Sequence, residues 1–245
     1  MKEGLNVEET RIINVLGLSI GVNTFIALVA TIILIWVFCV VGTKNLSVDK
    51  PSKAQLLLEW VLDFVHGLVG GSITDSKVQM YNLLGMTLLL FVFVSNMVGL
   101  GFILTVDDYS LWKSPTADPI VCLALALIMI IMSHFLGVDK LGFKKYMSNS
   151  YMQPYAIMFP IKIVEEFTNT LTLALRLYGN IFAGEVLLGL IAQLGGAFFP
   201  VTWVIGIPLQ MVWQGFSLFI GAIQAYIFVT LTMVYLSHKV EVETA

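Results

Sequence analysis

"PIKIVEEFTNTLTLALRLYGNIFAGEVLLGLIAQL", residues 160–194, decides the fold, because this stretch is long and apolar yet carries charged residues in its middle. A helix standing along the membrane normal needs only about 20 residues. With a rise of about 1.5 Å per residue, a helix of this length would exceed a hydrocarbon layer of about 30 Å. The sequence therefore predicts a membrane helix that is steeply tilted, kinked or both.

A second long apolar segment, residues 201–237, follows the first after the short stretch "QLGGAFFPVTW" (193–203). Gly195, Gly196 and Pro200 favour a turn between the two segments. Pro208 favours a kink in the second one. The two segments are predicted to form a slanted antiparallel hairpin.

The composition places the whole chain in a membrane. Hydrophobic residues make up 58% of it, charged residues 12%, and the mean hydropathy is +0.90, well outside the range of soluble domains. Lipid leaves few options other than helices for long apolar segments. The chain is therefore predicted to be an all-α integral membrane protein, a single membrane domain over residues 1–245. The predicted membrane helices are 17–42, 80–104, 119–138, 160–194 and 201–237. The first is long enough to span, unlike a secretory signal, and is expected to stay in the mature chain.

Residues 54–71, "AQLLLEWVLDFVHGLVGG", have a different pattern. Glu59, Asp63 and His66 share one helical face opposite apolar residues, which predicts an amphipathic helix at the membrane interface. His66 is interpreted as a solvated residue of the polar face rather than a ligand.

The distribution of lysines predicts the orientation. The loop between the second and third segments carries Asp107 and Asp108 against Lys113, whereas the loops after the first and third segments are basic. The lysines of those basic loops are Lys44, Lys50, Lys53, Lys140, Lys144 and Lys145. The positive-inside rule then predicts the N-terminus outside and the C-terminus in the cytoplasm.

A polar stripe runs along the first arm of the hairpin. Its members, three or four residues apart and so on one helical face, are Glu165, Asn169, Thr172, Arg176 and Asn180. A central arginine costs roughly 2.5 to 3.5 kcal/mol on insertion scales and so needs a reason. Glu185 lies nine residues beyond Arg176, on about the opposite side of the helix, which argues against a direct ion pair. We expect a group outside this helix to meet the guanidinium.

The second arm repeats the pattern with Gln210, Gln214, Ser217, Gly221 and Gln224. Two polar stripes on adjacent tilted helices are typical of the walls of a hydrated path. The alternative is that these groups only hydrogen-bond between helices, each contributing about 0.6 kcal/mol. The spacing alone leaves both interpretations open.

Several other classes of protein lack support in the sequence. The net charge of -3 comes without a basic stripe interleaved with aromatics, so no nucleic-acid partner is expected. The HExxH, GxSxG and glycine-rich phosphate-loop motifs are missing, and we expect no catalytic residue, no metal and no cofactor. Cys39 and Cys122, both within apolar segments, are interpreted as buried thiols rather than a disulfide or a metal pair.

Three stretches resemble subunit a of the F-type ATP synthase membrane sector. They are "EEFTNTLTLALRLYGNIFAGE" (165–185), "IGAIQAYIFVTLTMVYLS" (220–237) and "PTADPIVCLALAL" (115–127). The resemblance covers essentially the whole chain in segment order. It implies that the chain is part of the stator of a rotary motor in the cell membrane and supports ATP synthesis by transporting ions, with the proton as the expected ion. It also implies that the chain itself catalyses no reaction.

The resemblance also implies partners and site residues. The partners are a ring of c subunits bearing membrane-embedded carboxylates, the peripheral-stalk b subunits, the remaining synthase subunits and lipid. The essential arginine of the family falls on Arg176, polar positions of the outer half-channel fall on Asn180, Glu185 and Gln224, and an acidic position near the inner half-channel falls on Glu165. The resemblance does not settle whether the ion is a proton or sodium.

Two positions depart from the family pattern. Ser217 stands where many members carry a histidine or carboxylate facing the position of Glu185, which weakens any proposal of a titratable pair there. Asp118 is followed by Pro119 and Ile120 rather than by a nearby asparagine. Asp118 is interpreted either as a group at a channel mouth or as the N-cap of the third helix.

The main alternative is a secondary transporter whose Arg176 binds an anionic substrate at the midplane. Such folds often contain internal repeats, and the two halves of this sequence show no convincing repeat.

Overall fold

The structure, a computed structural model, describes residues 12–15, 18–44, 46–73, 78–101, 105–106, 109–110, 114–152, 156–197 and 201–240. The fold is all-α, as predicted. The helices are α1 (Val22–Thr43), α2 (Lys53–Gly70), α3 (Val78–Gly101), α4 (Pro119–Leu141), α5 (Phe143–Met147), α6 (Phe159–Ala197) and α7 (Val201–Val240). Five of these, all but α2 and α5, are long and apolar enough to cross a membrane.

Short elements connect the helices. Two antiparallel strand pairs precede α1 and follow α3: β1 (Ile12–Val15) with β2 (Leu18–Gly21), and β3 (Thr105–Val106) with β4 (Tyr109–Ser110). A 3₁₀ turn, Pro115–Ala117, leads into α4, and a π-helical turn, Ser148–Met152, follows α5. A second 3₁₀ turn, Ala156–Met158, leads into α6.

The first membrane segment starts later than its hydropathy suggests. The helix was expected from residue 17, but Leu18–Gly21 forms β2 and α1 begins at Val22. Pairing with β1 gives partners to the backbone polar groups on one edge of β2. Hydropathy alone therefore does not locate this boundary.

The two longest helices are α6 with 39 residues and α7 with 40. At about 1.5 Å per residue, each is nearly twice as long as the hydrocarbon layer is thick. Gly195 and Gly196 were expected to make the turn between them, which is wrong: α6 continues through both to Ala197. In a membrane, ending the helix early would leave backbone polar groups without partners. Pro200 lies outside the described residues, and α7 continues through Pro208.

The core lies around the second half of α7. Ala225, Phe228, Val229, Met233 and Leu236 are buried there. They pack with buried residues of α2, α3, α4 and α6, among them Val65, Val69, Tyr81, Val92, Cys122, Leu173 and Leu177. Beyond this core the first half of α7 is largely exposed, as at Ile207, Met211 and Phe219. The closed end of the hairpin therefore extends past the packed bundle.

Both cysteines are free thiols, and Cys122 is buried whereas Cys39 is half-buried.

His66 of α2 makes a side-chain contact with α3. Its ring Nδ1 accepts a hydrogen bond from Asn82 Nδ2 at 2.8 Å. His66 therefore ties α2 to α3.

Candidate functional site

Arg176 lies on an exposed surface of α6. The exposed residues of α6 around it are mainly apolar: Leu171, Leu175 and Phe182 are 38%, 53% and 45% exposed, and Thr172, one turn before Arg176, is exposed as well. Within the part of the chain that the structure describes, no carboxylate forms an ion pair with Arg176. A permanent cation on an apolar surface of a membrane helix needs a partner that covers it.

The rest of the α6 stripe is partly exposed. Glu165 is exposed and pairs with Lys162 one turn earlier, with 3.2 Å between Nζ and Oε2. Asn169 and Asn180 are half-buried, and Thr172 is exposed. The stripe thus runs from an ion-paired carboxylate at one end to the unpaired Arg176 in the middle of the helix.

A polar cavity of about 160 Å³ opens at the Glu165 end of the stripe. It is lined by residues of α4, the π-helical turn, α6 and α7: Ile130, Ser133, Asn149, Ser150, Lys162, Glu165, Glu166, Asn169, Tyr235, His238 and Lys239. A cavity of this volume and polarity can hold several water molecules. The structure therefore places Glu165 and Asn169 together in the wall of one polar pocket.

Glu166 forms the centre of an inner cluster, defined here as His134, Tyr146, Tyr151, Glu166 and Lys239. Its Oε1 lies 2.9 Å from His134 Nε2 and 3.0 Å from Lys239 Nζ. Its Oε2 accepts hydrogen bonds from Tyr151 Oη at 2.5 Å and from Lys239 Nζ at 3.2 Å. His134 Nδ1 is in turn hydrogen-bonded to Tyr146 Oη. The cluster joins α4, α5, the π-helical turn, α6 and α7.

The two tyrosines of the inner cluster, which lie outside the membrane-spanning segments, are poor acids. Burial raises the pKa of Tyr146 to about 12, and the negative charge of Glu166 acts in the same direction. Burial also raises the pKa of Tyr151, as do its hydrogen bond to Glu166 and the charge of that carboxylate. Both phenols therefore stay protonated at neutral pH, and Tyr151 remains a hydrogen-bond donor to Glu166.

The sequence does not predict this cluster. The spacing of polar residues and the family resemblance both indicate Glu165, and neither indicates Glu166 or His134. One signal was available: two acidic residues stand side by side in a membrane segment, so they lie on different faces of the helix and need different partners. The identity of the partners, which come from distant segments, could not be obtained from spacing.

The stripe on α7 is divided between exposed and buried residues. Gln210 is exposed, whereas Ser217 and Gln224 are 6% and 5% exposed. Ser217 Oγ and Gln224 Nε2 have no hydrogen-bond partner among the described residues, although both atoms are buried. An unsatisfied buried polar group costs about 1–3 kcal/mol, so water is the expected partner at both positions.

Glu185 and Asp118 lie apart from the inner cavity. Glu185 is half-buried on α6. The carbonyl of the preceding residue, Gly184, accepts a hydrogen bond from Trp213 Nε1 of α7 at 3.4 Å. Asp118 caps α4: its Oδ1 accepts a hydrogen bond from the Ile120 amide at 2.9 Å, and Pro119 occupies the first helical position. This geometry is that of the N-cap alternative.

The class of protein defined by this fold is a polytopic helical membrane protein with a long hairpin, whose exposed Arg176 forms no ion pair among the described residues. The sequence profile of the family described as ATP synthase A chain matches residues 24–237. The chain belongs to this family, whose members act in ATP synthesis and ion transport across membranes.

Three relatives, each called ATP synthase subunit a, illustrate the similarity. The protein from Enterococcus hirae is 56% identical over 202 residues, 82% of this chain and 84% of the relative. That from Enterococcus faecalis is 51% identical over 216 residues, 87% and 89% of the two chains. That from Listeria monocytogenes is 45% identical over 236 residues, 96% and 99% of the two chains. The similarity therefore extends over nearly the whole length of both proteins.

Proposed function

We propose that this chain carries protons through two offset half-channels to and from the carboxylates of a rotating c-ring, and so couples ion flow to rotation in an F-type ATP synthase. In this role it makes no bonds and binds no cofactor. Its direct partners are the c-ring, the peripheral-stalk b subunits and membrane lipid, in a plasma membrane with the N-terminus outside and the C-terminus in the cytoplasm.

The observation that carries the proposal is the exposed, unpaired Arg176 on an apolar surface of the hairpin. A partner that covers this surface must bring a negative charge, since an uncompensated buried cation is strongly unfavourable. A ring of helices that each bear one carboxylate meets this requirement repeatedly as it turns. The remaining exposed residues of the surface, such as Phe219 and Ile223, are apolar and suit contact with lipid-embedded helices.

Arg176 also separates the two half-channels electrostatically. An opposite charge nearby favours the ionised form of a carboxylate, so a ring carboxylate releases its proton before it passes the guanidinium. Arginine stays protonated at every accessible pH and therefore cannot pass a proton across. Direct leakage between the two sides is blocked while charged sites move past.

Two regions of the chain are proposed to give ions access to the ring carboxylates, one from each side of the membrane. The cavity lined by Glu165 and Asn169 is the proposed inner half-channel. The proposed outer half-channel runs along Ser217 and Gln224, whose buried polar atoms need water, with Asn180 and Glu185 towards its mouth. One elementary charge crossing 100 mV is worth about 2.3 kcal/mol, so several ions must cross for each ATP made.

The test is cross-linking in native membranes after Cys39→Ser and Cys122→Ser. A cysteine in Ile223→Cys, on the proposed ring face, is expected to cross-link to a small hairpin-sized membrane protein. Ile131→Cys, an equally apolar position that is 62% exposed on α4, is the matched control and should give no such product. Absence of the product from Ile223→Cys in folded protein would overturn the proposal and favour a transporter that binds an anion at Arg176.

A further inference from the structure

A buried polar joint lies where the outer turn before α4 meets α3 and α7. It consists of Ser95 and Asn96 of α3, Ser114 and Thr116 of the turn, and Gly221 of α7. The four side chains are 0% exposed. Buried polar groups of this kind stabilise a fold when their hydrogen bonds are made, as they are here for Asn96, Ser114 and Thr116, whereas Ser95 Oγ has no partner among the described residues and Ser95 takes part through its carbonyl.

The hydrogen bonds of the joint run through Asn96. Its Nδ2 donates to the Gly221 carbonyl at 2.9 Å, and its Oδ1 accepts from Thr116 Oγ1 at 2.9 Å. Ser114 Oγ lies 2.8 Å from Thr116 Oγ1 and donates to the Ser95 carbonyl at 3.3 Å. The amide of Asn96 thus connects the outer turn to the backbone of α7 through both of its polar atoms.

Close packing fixes the same turn against α3. A Cβ atom added at Gly99 would lie 2.1 Å from Ser114 Cβ and 2.7 Å from Ser114 Cα. Only glycine allows the backbone of the turn to approach α3 this closely. The turn therefore has little freedom to move, and Asn96 and Thr116 hold α7 against a rigid support.

The joint meets α7 midway between two residues of the proposed outer half-channel. Ser217, Gly221 and Gln224 are spaced by four and three residues and share one helical face. Ser217 and Gln224 carry buried atoms without partners, whereas the amide of Asn96 is satisfied. A bond to the carbonyl of Gly221 fixes the rotation of α7 at the point from which both side chains project.

We propose that Asn96 and Thr116 are positioning residues that hold the face of α7 bearing Ser217 and Gln224 towards the hydrated path, through the hydrogen bond to the Gly221 carbonyl. This inference rests on the proposed outer half-channel. It gives Asn96 and Thr116 an indirect role: neither touches the ion, and both determine which way the residues of the path point.

The experiment measures water access at position 217 in the assembled complex in native membranes. Ser217→Cys, a nearly isosteric change, serves as reporter after Cys39→Ser and Cys122→Ser, and its rate of reaction with Ag⁺ is followed through inhibition of ATP-driven pumping. Removing the amide with Asn96→Leu is expected to slow this reaction about tenfold, because the lost bonds leave buried groups unpaired and release the face of α7. An unchanged or faster reaction overturns the inference.

A conservative pair separates positioning from general stability. Thr116→Val removes the hydroxyl and should slow the reaction, whereas Thr116→Ser keeps the hydroxyl and should restore the parent rate. Thr232→Val is the matched control, since this buried hydroxyl on α7 bonds only to the Phe228 carbonyl of its own helix. It should leave the rate unchanged, and equal rates in Thr116→Val and Thr116→Ser overturn the inference even if Asn96→Leu fails to assemble.

The reporter also distinguishes this inference from the proposed function. If the cysteine at 217 reacts in the parent but is insensitive to the Asn96 and Thr116 changes, only the positioning role is wrong. If it does not react in an active parent complex, the hydrated path at Ser217 is wrong, and the positioning role with it.

Discussion

Glu166 of the inner cluster and Arg176 are both charged residues of α6, but they differ in whether the chain supplies a partner for the charge. Glu166 has three partners from three other segments, and its side chain is only 17% exposed. Arg176, ten residues along the same helix, is exposed and forms no ion pair within the described residues. A charge that the chain neutralises itself stabilises the fold, whereas a charge left open on an apolar surface indicates a partner.

The largest expected effect is at Arg176, whose charge has no ion-pair partner among the described residues. Arg176→Ala should lower ATP-driven pumping and ATP synthesis by about 100-fold or more, because a ring carboxylate loses the cation that stabilises its charged form. The amount of assembled complex should not fall, since Arg176 forms no ion pair with the described residues of the chain. Thr168→Ala, an exposed position on the same helix whose hydroxyl bonds to the Val164 carbonyl, is the control. Normal ion-coupled ATP synthesis in Arg176→Ala would contradict the inference that the charge of Arg176 meets a partner.

The paired charges of the inner cluster should instead affect the stability of the fold. Glu166→Gln or Lys239→Met should lower the free energy of unfolding by about 1–3 kcal/mol, because each leaves a largely buried charge without its partner. Thermal unfolding of the purified protein in detergent measures the change, and a double-mutant cycle should show coupling between the two sites. Lys162→Met breaks only the exposed pair with Glu165 and should cost less than about 0.5 kcal/mol. Equal losses for Lys162→Met and Lys239→Met would contradict this distinction.

Polar groups of the outer path should have an intermediate effect on transport. Gln224→Leu and Glu185→Gln are each expected to slow passive proton flux up to about tenfold, less than Arg176→Ala, because water can bridge a missing polar group. Flux through the membrane sector after removal of the soluble sector measures this. Thr230→Val, whose hydroxyl bonds to the Tyr226 carbonyl of its own helix, should have no effect. Unchanged flux in both test variants would reassign Gln224 and Glu185 to packing.

The smallest effect concerns pH at the inner cluster. The pKa of Tyr146 is raised from its ordinary value of 10.0 to about 12 by burial and by the charge of Glu166. Its contribution to stability is therefore complete below about pH 10 and is lost as the pH rises through about 12. The thermal midpoint should fall less steeply between pH 9 and pH 11 in Tyr146→Phe than in the parent. Parallel curves for the two proteins would show that folding does not raise the pKa of Tyr146.

The sequence predicted the helical hairpin well and its turn poorly. The length and hydropathy of residues 160–194 and 201–237 require long helices, because a backbone in lipid must satisfy its own hydrogen bonds. The same requirement explains the error at Gly195 and Gly196, which act as turn residues in water but remain helical here. Rules for turns were derived where water can replace a lost backbone partner.

The candidate site could also be predicted only in part from the sequence. The spacing of the polar residues placed Arg176 and Gln224 on defined helical faces, since periodicity is a local property of one helix. It could not separate the path from hydrogen bonding between helices. In the structure both polar atoms of the Asn96 side chain have partners on other segments, whereas Ser217 Oγ and Gln224 Nε2 are buried without partners in the described residues.

By itself the sequence determined the class of this protein, its long hairpin and an arginine that needs a partner, because hydropathy and helical spacing act within single segments. Only the tertiary structure decided which charges are already satisfied. Glu166, Lys239 and His134 are 73, 105 and 32 residues from one another along the chain in their three pairings. Their contact depends on how three helices, α4, α6 and α7, pack, and that information is not contained in any one of them.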